Sequence, residues 1–239
     1  MKIVINTNVC YKKALTVLFR SLLKTGFRHF NDVVVVISGS KKDSRPSLEK
    51  ISKITYLGSA CRVTLIRMRL DNYDYTGYHA LNLYSGHALV SSDYYMYVPD
   101  TVTFDRYFPE KRKQLLLQAA TSWVKYKNPV FIAPGPHSNI CVLGAGVIKK
   151  YGSNFSVKVS KRDAVRLEFD RPVKKGNRRV LGITRFGVRI NSQKRFAACE
   201  KDLYGTGYPR IGFYYEDFGL YKWILWGKNG DFNGDVADN

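Results

Sequence analysis

Acidic side chains occur at two notable places in a chain that is otherwise rich in basic residues. Asp100 follows the run YYMYV and Pro99, and the pair Glu216-Asp217 follows IGFYY. A carboxylate at the tip of a strand can hold Mg²⁺ or Mn²⁺, which prefer oxygen ligands and keep positions open for phosphate oxygens. Such a metal would neutralise the charge that develops on a departing diphosphate. A second carboxylate at the same site could take the proton of an attacking hydroxyl as general base; we predict Asp217 for that role, with Glu216 as its rival.

Both acidic positions also have ordinary structural explanations. Pro-Asp-Thr is common turn chemistry, so Asp100 could simply open a turn. An acid in the first turn of a helix stabilises that helix, which would account for Glu216 and Asp217. A diphosphate could be held by Arg210, by Lys222 or by the lysines that follow the second strand, and the sequence does not decide among them.

The composition describes a globular chain with a strong positive charge. Its 239 residues are 45% hydrophobic, which is enough for a sizeable core. The 39 Lys and Arg against 19 Asp and Glu give a net charge of +20, and such a charge attracts polyanions and phosphorylated ligands. The basic residues occur as scattered doublets, which are typical of solvated faces. Nucleic acid, an anionic membrane surface and a nucleotide-type substrate therefore all stay open as partners.

The cysteines and the apolar runs indicate where such a chain works. Cys10, Cys61, Cys141 and Cys199 form no C-x-x-C pair and have no histidine at metal spacing, which argues against zinc and for reduced thiols in the cytosol. No apolar run reaches the roughly 18 residues needed to span a bilayer. The start MKIVIN is typical of a strand and not of a signal peptide. We therefore predict a cytoplasmic protein.

Strand and helix patterns alternate over the first hundred residues. Strands are predicted over 2–6, 32–38, 61–68 and 94–98, with helices over 11–25, 47–54 and 78–90 between them. This order predicts parallel strands with right-handed crossovers and helices on both faces. Ligands of such sheets bind beyond the carboxyl ends of the strands, which are here the segments 6–8, 38–39 and 71–77 and Asp100.

The second half of the chain has a different pattern. We predict a helix over 106–120, a strand and a helix start within 138–152, a hairpin of 165–170 with 178–184, and a strand running into an aromatic helix over 211–227. The last residues show no apolar periodicity. We therefore predict a single domain over 1–227 and a polar tail or linker over 228–239, with further domains possible beyond it.

Long stretches of the sequence are very similar to one enzyme family. The stretches are MKIVINTNVCYKKALTVLFRSLLKTGFRHFNDVVVVISG, DNYDYTGYHAL and SSDYYMYVPDTVTF. They resemble the N-terminal domain of large chlorovirus glycosyltransferases that decorate the viral capsid glycan, and YYEDFGLYKWI fits the same domain less distinctively. The resemblance implies a GT-A-type α/β fold, with a Rossmann-like, mostly parallel central sheet flanked by helices. It also implies an inverting transfer of a sugar, for which we favour L-rhamnose, from a UDP-sugar to a capsid-glycan hydroxyl in the host cytoplasm, with Mn²⁺ or Mg²⁺ as cofactor.

The resemblance also implies roles for individual residues. The metal-binding motif of the family falls on PDTV, which makes Asp100 the metal ligand. The usual D-x-D is incomplete, because Val102 stands where the second carboxylate is expected, and the last histidine of the chain is His137. Uracil and ribose are expected beside the first and third strand ends, where the candidates are Thr7, Asn8, Asp71, Tyr75 and Tyr78, either of the two tyrosines as a stacking face. Arg210 stays one of the candidates for the diphosphate.

A basic nucleic-acid-binding domain is the alternative from another functional class. The stretch TRFGVRINSQKRF interleaves aromatic and basic residues that could stack on bases. The dispersed charges and the lack of a recognisable binding motif argue against it. A basic surface that docks an anionic membrane or acidic capsid subunits would serve an enzyme and not replace it.

Overall fold

The computed structural model describes residues 1–39, 45–55, 63–71, 73, 75–126, 130–133, 139–156, 158–160, 162–163, 167, 173–175, 178–180, 188–191, 195–200, 203–204 and 210–225. The strands in chain order are β1 (Lys2–Asn8), β2 (Val33–Ser38), β3 (Thr64–Arg67), β4 (Tyr94–Pro99), β5 (Val102–Phe104), β6 (Val130–Ala133), β7 (Cys141–Gly144), β8 (Val173–Lys175), β9 (Arg178–Val180), β10 (Val188–Asn191), β11 (Arg195–Glu200), β12 (Arg210–Tyr215) and β13 (Leu220–Leu225). The helices are α1 (Lys12–Lys24), α2 (Arg45–Thr55), α3 (Tyr75–Tyr84), α4 (Phe108–Tyr126) and α5 (Ala145–Tyr151), and short 3₁₀ turns cover Phe30–Asp32, Gly152–Ser156 and Glu216–Phe218.

A seven-stranded sheet organises the fold, with the strand order β10-β6-β7-β4-β1-β2-β3. The strands β4, β1, β2 and β3 pair in parallel, and so do β10 and β6. Only β7, among these strands, runs against its neighbours β4 and β6. The predicted fold class, α/β with a Rossmann-like and mostly parallel central sheet flanked by helices, is confirmed.

Helices cover both faces of this sheet because the central strands are apolar on both sides. In β2 every residue is buried. Val33, Val35 and Ile37 pack in one core with residues of α1, α2 and α4, whereas Val34 and Val36 pack in the other with residues of α3 and α5. A continuous run of β-branched residues is what such a doubly covered strand requires.

A second sheet, with the order β11-β12-β13-β5, is antiparallel throughout. Asp100 and Thr101 are the whole connection between β4 of the large sheet and β5 of the small one. Backbone hydrogen bonds tie this connection to both sheets: the Asp100 amide donates to the Asn6 carbonyl at 3.0 Å, and the Trp223 amide donates to the Thr101 carbonyl at 2.8 Å. The small sheet is therefore fixed at the carboxyl end of β4.

The prediction of a helix at the end of the chain is wrong. Residues 210–225 form a hairpin in which β12 and β13 pair around the 3₁₀ turn Glu216–Phe218. Gly219, at φ 60°, ends that turn in the left-handed region, which a glycine enters without a steric penalty. An aromatic run such as LYKWIL satisfies either periodicity when it is short, and here pairing with β5 selects the strand.

Other predicted boundaries shift by a few residues. The third helix begins at Tyr75 and ends at Tyr84, earlier at both ends than predicted. The predicted hairpin of 165–170 with 178–184 overlaps a hairpin of β8 with β9, whose strands lie at 173–175 and 178–180. Residues 165–166, 168–170 and 181–184 lie outside the described residues. The single domain over 1–227 and the tail over 228–239 stay predictions.

Crossing a membrane takes a long apolar helix, and none of the helices in the described part of the chain meets that requirement.

Candidate functional site

The strand order places a switch point between β1 and β4. The chain runs from β1 outward to β2 and β3, and then returns to β4 on the other side of β1. Ligands of open α/β sheets bind beyond the carboxyl ends of the strands at such a point. Here those ends carry Asn6, Thr7 and Asn8 on β1 and Asp100 just after β4. We call the space beyond them the crevice.

Asp100 lies at the bottom of the crevice and is buried. Asp100 is 5% exposed and Thr7 is 2% exposed, and Asp100 Oδ2 accepts a hydrogen bond of 2.6 Å from the Thr7 hydroxyl. A hydroxyl bound to a carboxylate at this distance makes a strong, charge-assisted bond. The bond joins the two strands that flank the switch point.

The strand ends of β1, β2 and β3 are joined through the amide side chain of Asn8. Asn8 Nδ2 donates to the Ser38 hydroxyl at 3.3 Å and to Asp71 Oδ2 at 3.0 Å. Asn8 Oδ1 accepts the Cys10 amide at 3.0 Å. Gly39 has φ +68°, and a Cβ there would lie 3.0 Å from Asn8 Nδ2. Asn8 and Asp71 are thus brought together as predicted, on the open side of the crevice.

Tyr73 is a residue that the sequence reasoning missed. It lies in the loop after β3 with φ 54°, an uncommon conformation for a residue with a side chain. Two hydrogen bonds hold it there: its amide donates to Asp71 Oδ1 at 3.4 Å, and its carbonyl accepts Asn6 Nδ2 at 3.1 Å. The ring is 44% exposed. A strained, exposed aromatic residue held by two crevice residues is a candidate for ligand contact.

Tyr75 and Tyr78 do not offer the stacking face predicted for them. They are 3% and 0% exposed, because they lie on the buried side of α3. The Tyr78 ring stacks on Tyr97 with centroids 4.2 Å apart, and its hydroxyl lies 3.4 Å from Cys141 Sγ. Burial raises the pKa of the Tyr78 hydroxyl well above its usual value. The prediction failed because the helix begins at Tyr75, which turns both rings toward the sheet.

Tyr204 and Arg210 lie together beside Asp100. Arg210 is 6% exposed, and its guanidinium carbon lies 5.0 Å from the centroid of the Tyr204 ring. The pKa of Tyr204 is raised, mainly by burial and further by the negative charge of Asp100, while the positive charge of Arg210 opposes the rise. Both charges therefore act on the same buried hydroxyl. The sequence singled out Arg210 but gave no signal for Tyr204.

A small apolar cluster packs around Tyr204. It joins Tyr204 and Trp223 to Ala14 of α1, with Tyr11 and Val17 at its margin. Trp223 is fixed by its indole Nε1, which donates to the Thr103 hydroxyl at 2.8 Å. Because α1 begins shortly after β1, this cluster connects the small sheet to the first strand end of the crevice.

Glu216 and Asp217 lie away from Asp100. They form the tip of the hairpin, and the next paired residue, Leu220, lies opposite Phe104 at the far end of β5. The hairpin tip packs against Phe108 and Asp105. A Cβ added to Gly219, the residue that ends the turn, would lie 2.9 Å from the Phe108 Cα and 3.2 Å from Asp105 Oδ1. Asp217 is exposed. The predicted general-base role stays a prediction, and this position does not support it.

The described residues do not fit a divalent metal at Asp100. No group of three His, Cys, Asp or Glu side chains comes together in the described part of the chain. Val102, at the position of the missing second carboxylate, is fully buried, and His137 lies outside the described residues. One Asp100 oxygen is engaged by Thr7, and the cation Arg210 lies nearby. Hard cations such as Mn²⁺ and Mg²⁺ take several oxygen ligands, so this donor set is poor.

No protein-family model matches this chain, and no curated protein matches it. Among solved structures, it is similar to S. aureus TarS 1–349 at 13% identity and TM-score 0.42, over 72% of this chain and 55% of that one. It is also similar to S. aureus TarS at 14% identity and TM-score 0.38, covering 72% of this chain and 33% of that one. A third similar structure is S. aureus TarS 1–349 in complex with UDP, at 13% identity and TM-score 0.37, covering 72% and 56%. The chain thus spans about half of the TarS 1–349 structures and a third of the longer one.

Proposed function

We propose that this protein is a GT-A-type glycosyltransferase that binds a UDP-sugar in the crevice and transfers the sugar to a glycan hydroxyl. The observation that carries the proposal is the convergence of Thr7, Asn8, Asp71 and Asp100 at the switch point between β1 and β4. Nucleotides bind at such points in doubly wound sheets. The similarity of the same strand ends to the chlorovirus glycosyltransferases supports the same assignment.

The parts of a UDP-sugar can be matched to the parts of the crevice. A ribose carries vicinal hydroxyls that donate to a carboxylate, and the exposed Asp71 carboxylate lies at the open side. A uracil ring can stack on an aromatic face, and Tyr73 offers one. The diphosphate and the sugar would then lie toward Asp100 and Arg210, next to the small sheet.

The proposed reaction is a single displacement with inversion. The acceptor hydroxyl oxygen bonds to the anomeric carbon, the bond from that carbon to the diphosphate breaks, and UDP leaves with the electron pair. The hydroxyl proton passes to a base. We favour L-rhamnose as the sugar and a glycan of a viral capsid protein as the acceptor, both on the resemblance stated above.

Calorimetric titration with nucleotides tests this function directly. We expect UDP to bind at least tenfold more tightly than ADP or GDP, because the crevice would read the uracil as well as the diphosphate. Turnover of UDP-rhamnose and other UDP-sugars can then be measured by UDP release. If UDP binds neither in a buffer that contains Mn²⁺ nor in a buffer that contains EDTA, the proposal is wrong.

Tyr73→Ala is expected to weaken UDP binding by at least about fivefold, because stacking of a base on an aromatic ring contributes about 1–3 kcal/mol. The matched control is Tyr84→Ala, which removes a ring that is 42% exposed on α3 and should leave UDP affinity unchanged. Equal UDP affinities of Tyr73→Ala and the wild type would remove Tyr73 from the site.

Asp217→Asn tests the predicted base. A general base contributes about 10²–10⁴ to the rate, whereas an exposed acid at the hairpin tip contributes little. From the position of Asp217 we expect UDP binding to be unchanged and transfer to fall by less than about tenfold, and the same for Glu216→Gln. A transfer rate reduced more than about hundredfold with intact UDP binding would instead establish Asp217 as the base.

A further inference from the structure

Arg210 is a buried cation in the wall of the crevice. It is the first residue of β12, is 6% exposed, and carries its guanidinium over the Tyr204 ring. A guanidinium keeps its proton even when buried. A positive charge that is largely removed from water is stabilised by negative groups around it, and phosphate oxygens are such groups.

The strand register places Arg210 at the Asp100 end of the small sheet. Trp223 donates its amide to the carbonyl of Thr101, the residue after Asp100. Arg210 lies opposite Leu225, two residues further along β13 in the same direction. The hairpin thus carries a permanent cation to the Asp100 end of the small sheet, the end at which the resemblance expects a metal ion.

A second group at this position is also poised for a ligand. The Tyr204 hydroxyl is buried and makes no hydrogen bond to any described residue, and its side chain is 5% exposed. A buried hydroxyl without a partner is uncommon in folded proteins. An oxygen of a bound phosphate would accept its hydrogen bond.

We propose that Arg210 takes the place of the divalent metal, so that the diphosphate of the donor binds beside Asp100 through the guanidinium and without a metal ion. A planar guanidinium can bind two phosphate oxygens at once. Asp100 then serves as the anionic anchor of the site, which holds Thr7 and balances Arg210 when no donor is bound. This inference rests on the proposed function and specifies how that site holds its substrate.

Calorimetry of the wild-type protein separates this inference from the proposed function. UDP and UMP are titrated into the protein in a buffer that contains EDTA. The titrations are repeated in a buffer that contains Mn²⁺ at one equivalent of the nucleotide or more. We expect UDP to bind in EDTA with an affinity within about threefold of that in Mn²⁺, and tighter than UMP by at least tenfold. If UDP binds only with Mn²⁺, the inference fails and the function stands. If UDP binds in neither buffer, the function fails.

Arg210→Gln supplies the test on the residue itself. In EDTA, Arg210→Gln should lower the affinity for UDP at least tenfold and the affinity for UMP much less. Arg210→Lys, which keeps the positive charge, should retain part of the preference for UDP over UMP. The matched control is Arg112→Gln, since Arg112 is also largely buried and lies near Met1 at the amino end of β1, in an ion pair of 2.6 Å with Asp32. Equal losses of UDP affinity in the Arg210 and Arg112 variants would overturn the inference.

Electron paramagnetic resonance of Mn²⁺ needs no variant and therefore applies even where Arg210→Gln does not fold. Adding wild-type protein to Mn²⁺ without nucleotide should leave the six-line signal of the free ion unchanged. Stoichiometric loss of that signal would show a resident metal site and overturn the inference.

Discussion

Replacing Asp100 with alanine is expected to lower the free energy of unfolding by about 3 kcal/mol, at the lower end of the range for removing one partner from a buried charge. Asp100 is 5% exposed, its carboxylate accepts the Thr7 hydroxyl at 2.6 Å, and its charge acts on Tyr204 together with that of the buried Arg210. Alanine leaves the hydroxyl without this acceptor and the guanidinium without this negative charge. Transfer should be lost with the shape of the crevice. Urea unfolding and UDP release measure the two effects.

Asparagine at the same position separates charge from shape. Asp100→Asn keeps an oxygen that can accept from Thr7 and removes only the charge, so we expect a smaller loss of stability than with alanine. If Arg210 holds the diphosphate, UDP should still bind to Asp100→Asn in EDTA, at least as tightly as to the wild type. A metal held by Asp100 predicts instead that the wild type binds UDP only with Mn²⁺, and that this binding disappears in Asp100→Asn.

Asp93→Asn is the control for both Asp100 variants. Asp93 is an exposed acid that precedes β4, whereas Asp100 follows the same strand at its other end. The change in net charge is identical, so any effect shared by the two asparagine variants comes from charge alone. If Asp100→Ala unfolded at the same urea concentration as Asp93→Asn, Asp100 would not be the anchor described here.

Gly77→Ala is expected to destabilise the fold by about 2 kcal/mol, because α3 packs against the Tyr97 ring at this position. A Cβ at position 77 would lie 2.5 Å from a ring carbon of Tyr97, whose ring is stacked on Tyr78 and fully buried. Overpacking of this kind costs about 3 kcal/mol, of which alanine returns about 1 kcal/mol through its helix propensity. The helix must move away from β4.

Gly86→Ala is a control with the same chemical change. Nothing lies within 4 Å of a Cβ at position 86, and no positive φ is recorded there. Its free energy of unfolding should stay within about 0.5 kcal/mol of the wild type, as is usual for a surface substitution. If Gly77→Ala left the free energy of unfolding unchanged, α3 could move away from the sheet without a loss of stability. The stack of Tyr78 on Tyr97 would then not fix the distance between α3 and β4.

The strand ends of the first hundred residues could be predicted because two simple signals agree there. The run VVVVI marks a doubly covered strand, and polar residues follow each strand at its carboxyl end. Parallel pairing then brings Thr7, Asn8 and Asp100 to one edge, as the structure has them. The bond from Asn8 to Asp71 lies at the same edge of the sheet.

Three features could not be predicted, because each depends on contacts between distant parts of the chain. Tyr73 adopts its positive φ only because Asn6 and Asp71 hold its backbone. The segment LYKWIL is a strand because it pairs with β5, a short strand that the sequence did not reveal. Arg210 and Tyr204 meet only after the hairpin has folded back. Local periodicity carries none of this information.

The two-residue connection between β4 and β5 has a consequence for how this chain can diverge. Backbone hydrogen bonds tie Asp100 to Asn6 of the large sheet and Thr101 to Trp223 of the small sheet. An insertion or deletion at this point would shift the register of both sheets at once, and would separate the strand ends from the wall that carries Arg210. Length variation among related sequences is therefore expected in other loops and not between β4 and β5.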